Sequence, residues 1–512
     1  MKFKAKTRRR KDAKDPFQLS CAFASPRLCI GWIVLTVAAS FGAELPKVPV
    51  PRSPYLPVVY RYADAMLEHG RDVYGPQKSG LFFSALDRAA LAPLTNRPPA
   101  PAGVPSTDRV GAKGQPLSGA NPQHDENLLR LLYTLSDLSA KPKYREAADA
   151  ELKWFFQNAA STNTHLLAWG EHMSWDALTD RPIAADDSEK GTHEFFRPWM
   201  LWQRCFELTP GASKEFALGL WEHQIANHNS GAFNRRAGYF KHLVEDAMDF
   251  PRHAGFYIRT WAVAYANTHE ETFLKAIETL LQRFEKKRNP NAALIETDAG
   301  YSNSWTASTL SLAIDCDGAA HQVPAPLASR LRAFAEREDE NFCSLPHDVK
   351  ATSGFITSVQ KGKSTDPHTP LWHVRSGGNT TARVGMMCVS RYDNTGKAGY
   401  RDLITAAADA YVNSMPEQDA DAWPATFGQA ISLELAAWRH TARSVHLDCA
   451  RQLADFAVEK FFDGNSLPRA SLKTDHYESI TGADTLALAL LELHLQILHI
   501  TAVRCPPNTI DR

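Results

Sequence analysis

Apolar residues recur three and four positions apart along most of the chain beyond residue 55, the spacing that gathers them on one face of an α-helix. In HDENLLRLLYTLSDLSA, Leu128, Leu131, Leu132 and Leu135 form such a stripe. The same reading predicts helices over 56–69, 124–140, 143–159, 193–208, 213–227 and 254–267. Further helices are predicted over 270–287, 323–339, 399–412, 425–438, 442–458 and 485–499. Strict apolar–polar alternation, the mark of a half-buried strand, is scarce, and VRSGGNTTARVGMMCVSRYD is the main ambiguous run. Residues 93–123 carry too many Pro and Gly residues for a regular element and read as a long loop that covers a site or wraps the outside.

These helices come in pairs of similar length, about twelve to fourteen in all counting the uncertain ones, with no visible sequence repeat. An α/α toroid and a superhelical solenoid both suit that count. The toroid is preferred because aromatic and charged residues gather at helix ends and in Gly/Pro loops, as the rim of a cup requires. The expected fold is therefore all-α, an α/α toroid (incomplete barrel) of six or seven helical hairpins. No linker divides the chain after residue 60, so 61–512 reads as one catalytic domain.

Composition changes this picture little: 512 residues, 44% hydrophobic and 22% charged, make an ordinary globular chain large enough for a sizeable core. Lys and Arg balance Asp and Glu at 57 each, and no basic stripe runs between aromatics, so nucleic acid is not an expected partner. The first residues do add something. A long basic stretch containing Arg8, Arg9 and Arg10 precedes the apolar run LCIGWIVLTVAASF and then Gly42 and Ala43. That order predicts a signal peptide over 1–43 and a Pro-rich spacer over 44–60, hence a periplasmic or secreted protein. The 14 apolar residues are too few to span a bilayer comfortably, so no stable membrane insertion is expected after cleavage. Outside the signal, the six cysteines are widely spaced with no metal-like pair, and Cys316 with Cys343 is the first candidate for a disulfide.

Potential chemistry concentrates in residues 165–266, where ionisable groups sit beside rings: Glu171 and His172, His193 and Glu194, Arg252 and His253. A partly dry, aromatic-walled cleft is the expected setting. His172, Glu194 and His253, with His193 as an alternative, offer imidazole and carboxylate donors suited to Mn²⁺, Zn²⁺ or a similar cation. No HExxH or HxxxH signature is present, and His193 and His253 are equally readable as interfacial histidines bonded to backbone carbonyls. Arg252, just before a helix, reads as a clamp for a substrate carboxylate or, in a strongly cationic setting, as a base. Trp169, Trp175 and Trp199 are candidate sugar platforms, whereas Trp202, Trp221 and Trp261 read as core.

The C-terminal third adds His373, Arg375, Arg383 and Lys473 as candidate substrate-binding cations, with Lys78 from the loop after the first helix. His476 and Tyr477 form a candidate acid–base pair, with loop hydrogen bonding the plainer alternative. In a closed toroid the last hairpin returns beside the first, so these residues would face Tyr74, Lys78 and Asp87. Asp125, Glu126, Asp176, Glu194 and Asp298 could supply a glycosidase pair, but spacing alone implies no such separation. GxSxG, P-loop and strand-borne GxGxxG motifs are absent.

YADAMLEHGRDVYGPQKSGLFFSALD, WGEH, THEF and PRHAGFYIRTWAVAYA resemble the exported pectate lyases of polysaccharide lyase family 2. That resemblance implies an α/α barrel of seven hairpins and β-elimination on an acidic polysaccharide, polygalacturonate or another uronate polymer. It further implies a divalent metal, Mn²⁺ before Zn²⁺, Ni²⁺ or Ca²⁺, held by His172, Glu194 and His253, with Arg252 as Brønsted base. The interval from Glu194 to Arg252 is long for the pattern, which leaves His193 as a substitute for Glu194. Two other functions fit the same residues: a toroidal glycoside hydrolase acting on acidic or unsaturated oligosaccharides, and an exported non-catalytic carbohydrate-binding protein.

Overall fold

A computed structural model describes residues 53–508 except 112–113, 161, 185–191, 194, 196, 235, 245–249, 289–293, 298–302, 361–362, 365–367 and 374–377. The expected signal peptide and most of the spacer lie outside the described residues. Fourteen α-helices run through those that are described: α1 (Tyr55–His69), α2 (Pro122–Ser139), α3 (Pro142–Asn158), α4 (Trp202–Leu208), α5 (Pro210–Gly219), α6 (Pro251–Thr268), α7 (Glu271–Lys286), α8 (Thr306–Ala319), α9 (Ala325–Ser344), α10 (Thr381–Thr395), α11 (Ala398–Tyr411), α12 (Pro424–Thr441), α13 (Ser444–Ala457) and α14 (Ala483–Ile497). None is long and apolar enough to cross a membrane.

The even-numbered helices form the inner ring. α6 packs on α8, α10 on α12, α12 on α14, and α14 on α2, while each even helix from α2 to α12 packs on the odd one that follows it. α14 takes α1 as its outer partner, so the end of the chain closes on its beginning. α4 is short and meets α3 and α6. The fold is the expected all-α toroid, with seven inner–outer pairs.

Burial explains which helices the hydrophobic pattern reveals. α7 buries Phe273, Ala276, Ile277, Leu280, Leu281 and Phe284 and leaves its other face polar, an amphipathic stripe plain in the sequence. α8 (TASTLSLAIDCDGA) sits in the inner ring and is buried nearly all round, so its sequence carries little periodic contrast and no helix is predicted there. The ambiguous run is helical from Thr381 on, as α10, opened by the Thr380 hydroxyl accepting from the Arg383 N–H; its residues 374–377 lie outside the described residues. The helix expected over 193–208 begins only at Trp202, as α4; Pro198 disfavours helical backbone at Arg197 before it. The Cys316–Cys343 disulfide does not form; all six described cysteines are free.

Inner-to-outer connections are tight turns, and four of them place Ala140, His269, Gly396 or Ala442 in the left-handed region that ends a helix. Every described strand lies instead in an outer-to-inner connection. Hence one end of the ring is a set of short turns, and the other carries long, strand-bearing loops above the N-termini of the inner helices. There the antiparallel pairs Ala85↔Glu478 and Leu86↔Tyr477 stitch the first connection to the last. Gly119–Ala120 pairs with Met173–Asp176 in the same way.

Gly428 marks the closest approach of α12 and α14, where a Cβ would lie 2.6 Å from the Thr485 carbonyl oxygen and 2.9 Å from the Leu486 Cα. Gly428→Ala should therefore cost about 1–3 kcal/mol in a guanidinium unfolding titration. Gly211, in the exposed first turn of α5 with nothing within 4 Å, is the matched control, and its replacement by Ala should be neutral or stabilising.

Candidate metal centre and cleft

The long Pro-rich loop before α2 is held by two arginines, the half-buried Arg97 and the buried Arg109. Arg97 donates to the carbonyls of Ser106, Val110 and Gly111. Arg109 makes a two-pronged pair with Glu478, Nε and Nη2 each 2.8 Å from a carboxylate oxygen, and its Nη1 donates to the Pro98 carbonyl. The His476 Nε2 lies 2.8 Å from the same carboxylate. Burial alone would raise the Glu478 carboxyl, but bonds from His476 and Arg109 hold it at about 2. This clasp ties the loop to the strand Tyr477–Glu478 and so fixes its neighbour, Asp108.

Asp108 closes the short turn Ser106–Asp108 and meets Glu171 and His172, which stand just before the strand Met173–Asp176. One ligand atom from each of the three lies within 4.8 Å of the others. The His172 Nδ1 is 2.9 Å from the Thr107 carbonyl, which only accepts, so Nδ1 carries the proton. The Nε2 lone pair is thereby turned to the Glu171 side, 3.7 Å from Oε2. Two ligand atoms on one ion at about 2.1 Å lie at most about 4.2 Å apart; the 3.7 Å between Nε2 and Glu171 is within that limit, and the trio as a whole, within 4.8 Å, would have to draw in by tenths of an ångström to share a cation. Two carboxylates and one imidazole fit Mn²⁺ or Zn²⁺ by donor chemistry.

Arg252 and His253 occupy the first turn of α6, after Pro251 at its start. The Arg252 Nε donates to the His253 Nε2 at 3.2 Å, so this imidazole carries its own proton on Nδ1. His253 is buried between the rings of Phe250 and Phe256. Phe250 also stacks on Trp305, 5.4 Å between centroids and 17° between planes. Trp305, stacked on Phe250 two residues before Arg252, is 40% exposed at the start of α8 and can offer a ring face to a sugar.

The expected platforms lie elsewhere. Trp169 and Trp199 are 2% and 1% exposed, interlocked with Phe195, Trp202 and Phe216, so they build core. Trp175 is buried edge-on against Trp154. Tyr477 is also buried; its hydroxyl meets Tyr62, 3.2 Å away, and burial pushes its pKa far above the usual phenol range. Both it and His476, spent on the Glu478 clasp, are out of reach as acid or base for a polymer. Of the acid candidates, Asp125 and Glu126 are buried within α2, and burial, then Glu151 and Asp484, raise the Asp125 carboxyl well above its usual range. Asp176 is bound to Ser118 and Thr179.

Arg383 is half-buried at the start of α10, donating to the Gly378 carbonyl. Lys78 is exposed, and Lys473 is exposed with its ammonium on the Asp419 carbonyl. Glu194, Arg375 and Asp298 lie outside the described residues, as does the side chain of His193. Among the described residues, then, His172 joins Asp108 and Glu171, and no metal-binding trio includes His253. Asp108 escapes sequence reasoning because it sits in an aperiodic loop; its juxtaposition with Arg109 and the abundance of Pro were the available signals.

Glu478 supplies a pH prediction. Its folded pKa is depressed, so its stabilisation is complete above the unfolded value near 4.5 and is lost as pH falls through about 2. The size is on the order of 3 kcal/mol. Glu151 has the opposite sign: burial raises it to about 8, so stability falls as pH rises from about 4.5 to about 8. Unfolding titrations between pH 3 and 9 should show Glu478→Gln flattening the acid limb and Glu151→Gln flattening the alkaline one.

Comparison with known proteins meets the same region. Residues 110–295 match the family model described as periplasmic pectate lyase, and over this stretch the chain is related to that family. A pectate disaccharide-lyase of Dickeya dadantii (strain 3937) is 23% identical over 130 residues, 25% of this chain and 23% of that protein. The chain thus spans less than a quarter of that curated relative's length. Among solved structures, a D-mannose isomerase aligns at TM-score 0.48 and 9% identity over 86% of this chain and 96% of its own. The cellobiose 2-epimerase of Bacillus thermoamylovorans aligns at TM-score 0.44 and 8% identity, covering 86% and 99%. An α-1,6-mannanase of Salegentibacter aligns at TM-score 0.42 and 10% identity, also covering 86% and 99%.

Proposed function

We propose that this protein is an exported polysaccharide lyase that cleaves pectate or a related uronate polymer by metal-assisted β-elimination. The observation that carries the reading is the disposition of His172: a histidine oriented by a backbone carbonyl and grouped with two carboxylates, with His172 and Glu171 inside the stretch that matches pectate lyases and Asp108 just before it. The family's periplasmic description and the basic–apolar start of the chain support export.

His172, Asp108 and Glu171 are the residues that would hold the cation. A divalent ion bound there would neutralise the uronate carboxylate and stabilise the charge that develops when the C5 proton leaves. Arg252 is held through its Nε on His253, and its guanidinium would meet the sugar from that position. For it to act as a base, close charge from a bound metal and tight positioning would have to hold a neutral fraction of the guanidinium. Arg252 would then take the C5 proton as the C4–O bond breaks, the leaving oxygen taking up a proton from water, to give a 4,5-unsaturated uronate. Trp305 stacks on an apolar sugar face beside it.

Mature protein incubated with polygalacturonate, after EDTA and again after added Mn²⁺, should produce near-ultraviolet absorbance only with metal. New reducing ends without that absorbance would mean hydrolysis and sink the lyase reading. Arg252→Ala should lower kcat by about 10²–10⁴ while keeping bound metal. Asp108→Asn and His172→Ala should lose metal and turnover together, and retention of metal by both would remove this trio as the ligands. Trp305→Ala should raise KM with little change in kcat.

A further inference from the structure

A second histidine cluster stands away from the trio at His172. His223 lies in the wide helical turn Leu220–Gln224 that continues α5, a kind of turn often found at functional sites. His242 is exposed on the loop that follows Gly238. Their Nδ1 atoms face each other at 2.9 Å. Two nitrogens on one Zn²⁺ at about 2.1 Å lie about 3.0–3.4 Å apart, so closing around an ion needs the two Nδ1 atoms to part by tenths of an ångström and the rings to swing until their lone pairs converge.

The backbones carrying the two rings are already fixed. Asn234, fully buried, donates through its side chain to the carbonyls of His223 and Leu243. Its own carbonyl accepts from the Gln224 side chain. Gly238 permits the tight return of the loop, since a Cβ there would lie 1.9 Å from the Lys241 carbonyl oxygen. Burial, and then His242, hold the His223 imidazole below its usual range, which keeps it neutral and able to ligate near pH 7. Glu222 and His165 are the other ionisable groups acting on it.

We infer that His223 and His242 form a second transition-metal site, a two-imidazole clip for Zn²⁺, Ni²⁺ or Cu²⁺ completed by water. The clip has a structural consequence. Tyr239, Phe240, Lys241 and Leu243, on the same loop as His242, line one wall of a cleft of about 1090 Å³ whose other wall includes Met173 and Arg181. A bound ion would fix that wall without contributing to elimination chemistry, so this site stands whether or not the lyase reading does.

The test is equilibrium dialysis of the full chain against Zn²⁺ at neutral pH, with bound metal counted for wild type, His242→Gln, His223→Gln and His172→Ala. Both clip variants should lose one equivalent, or bind it at least about tenfold more weakly, while His172→Ala keeps it. Cu²⁺ bound to His172→Ala should give an electron paramagnetic resonance spectrum with coupling from two nitrogens, reduced to one in the double variant with His242→Gln. His242 is exposed, so its replacement leaves the fold intact, which a thermal melt verifies. Unchanged Zn²⁺ equivalents and affinity in His242→Gln would overturn the site and leave a plain hydrogen bond between two neutral imidazoles.

Discussion

The buried pair between Arg109 and Glu478 is the constraint on which the rest of the loop end depends. Glu478 belongs to the strand that joins the last connection of the ring to the first, and Arg109 to the loop that supplies Asp108. One two-pronged contact therefore ties the last connection to the loop before α2 and fixes Asp108, a member of the candidate metal trio. Removing one partner would strand a buried charge, at a cost of about 3–5 kcal/mol. Arg88 reinforces the same seam, donating to the carbonyls of Phe461, Phe462 and Leu467 and pairing with Asp463 and Asp475.

Outer helices were legible in the sequence because they must be two-faced: α7 shows solvent one side and the ring the other. Inner helices keep less of that contrast as burial approaches completeness: α2, α6, α12 and α14 retain enough to be predicted, whereas α8 is hidden altogether. The site was legible in part for a related reason. His172, Arg252 and His253 stand next to aromatics and draw attention as pairs, whereas Asp108 sits in an aperiodic loop and depends on a partner more than three hundred residues away. The tryptophans mislead because a ring beside a charge in sequence says nothing about which way it points. Trp169 follows the chain into the core while Glu171 and His172, two and three residues on, turn out of it.

Trp169 is nonetheless part of the site's support. Its ring is packed by Phe155, Phe156, Phe195, Trp199, Trp202 and Phe216, six contacts drawn from α3, α4, α5 and the loop between them. Aromatic pairs of this kind add to burial about 0.5–1.5 kcal/mol each. An anchor so heavily packed holds the Gly170 turn rigid, and the Gly170 carbonyl in turn accepts from Asn121, the residue that caps α2. Rigid core behind a ligand loop reduces the reorganisation needed when a cation or substrate arrives.

Two histidines of the same region are set to opposite tasks by their neighbours. The Thr107 carbonyl takes the Nδ1 proton of His172 and turns its Nε2 lone pair outward beside a carboxylate. Arg252 occupies the Nε2 of His253, so that lone pair is committed to holding a guanidinium in place. On this geometry His172 is disposed to bind a cation and His253 to position the arginine. For His253 to ligate through Nε2, Arg252 must first let go, and the guanidinium would then lose the contact that aims it. The two roles compete for one lone pair. A ligand set built from the Asp108 loop avoids that conflict, because it leaves Arg252 tethered at the start of α6.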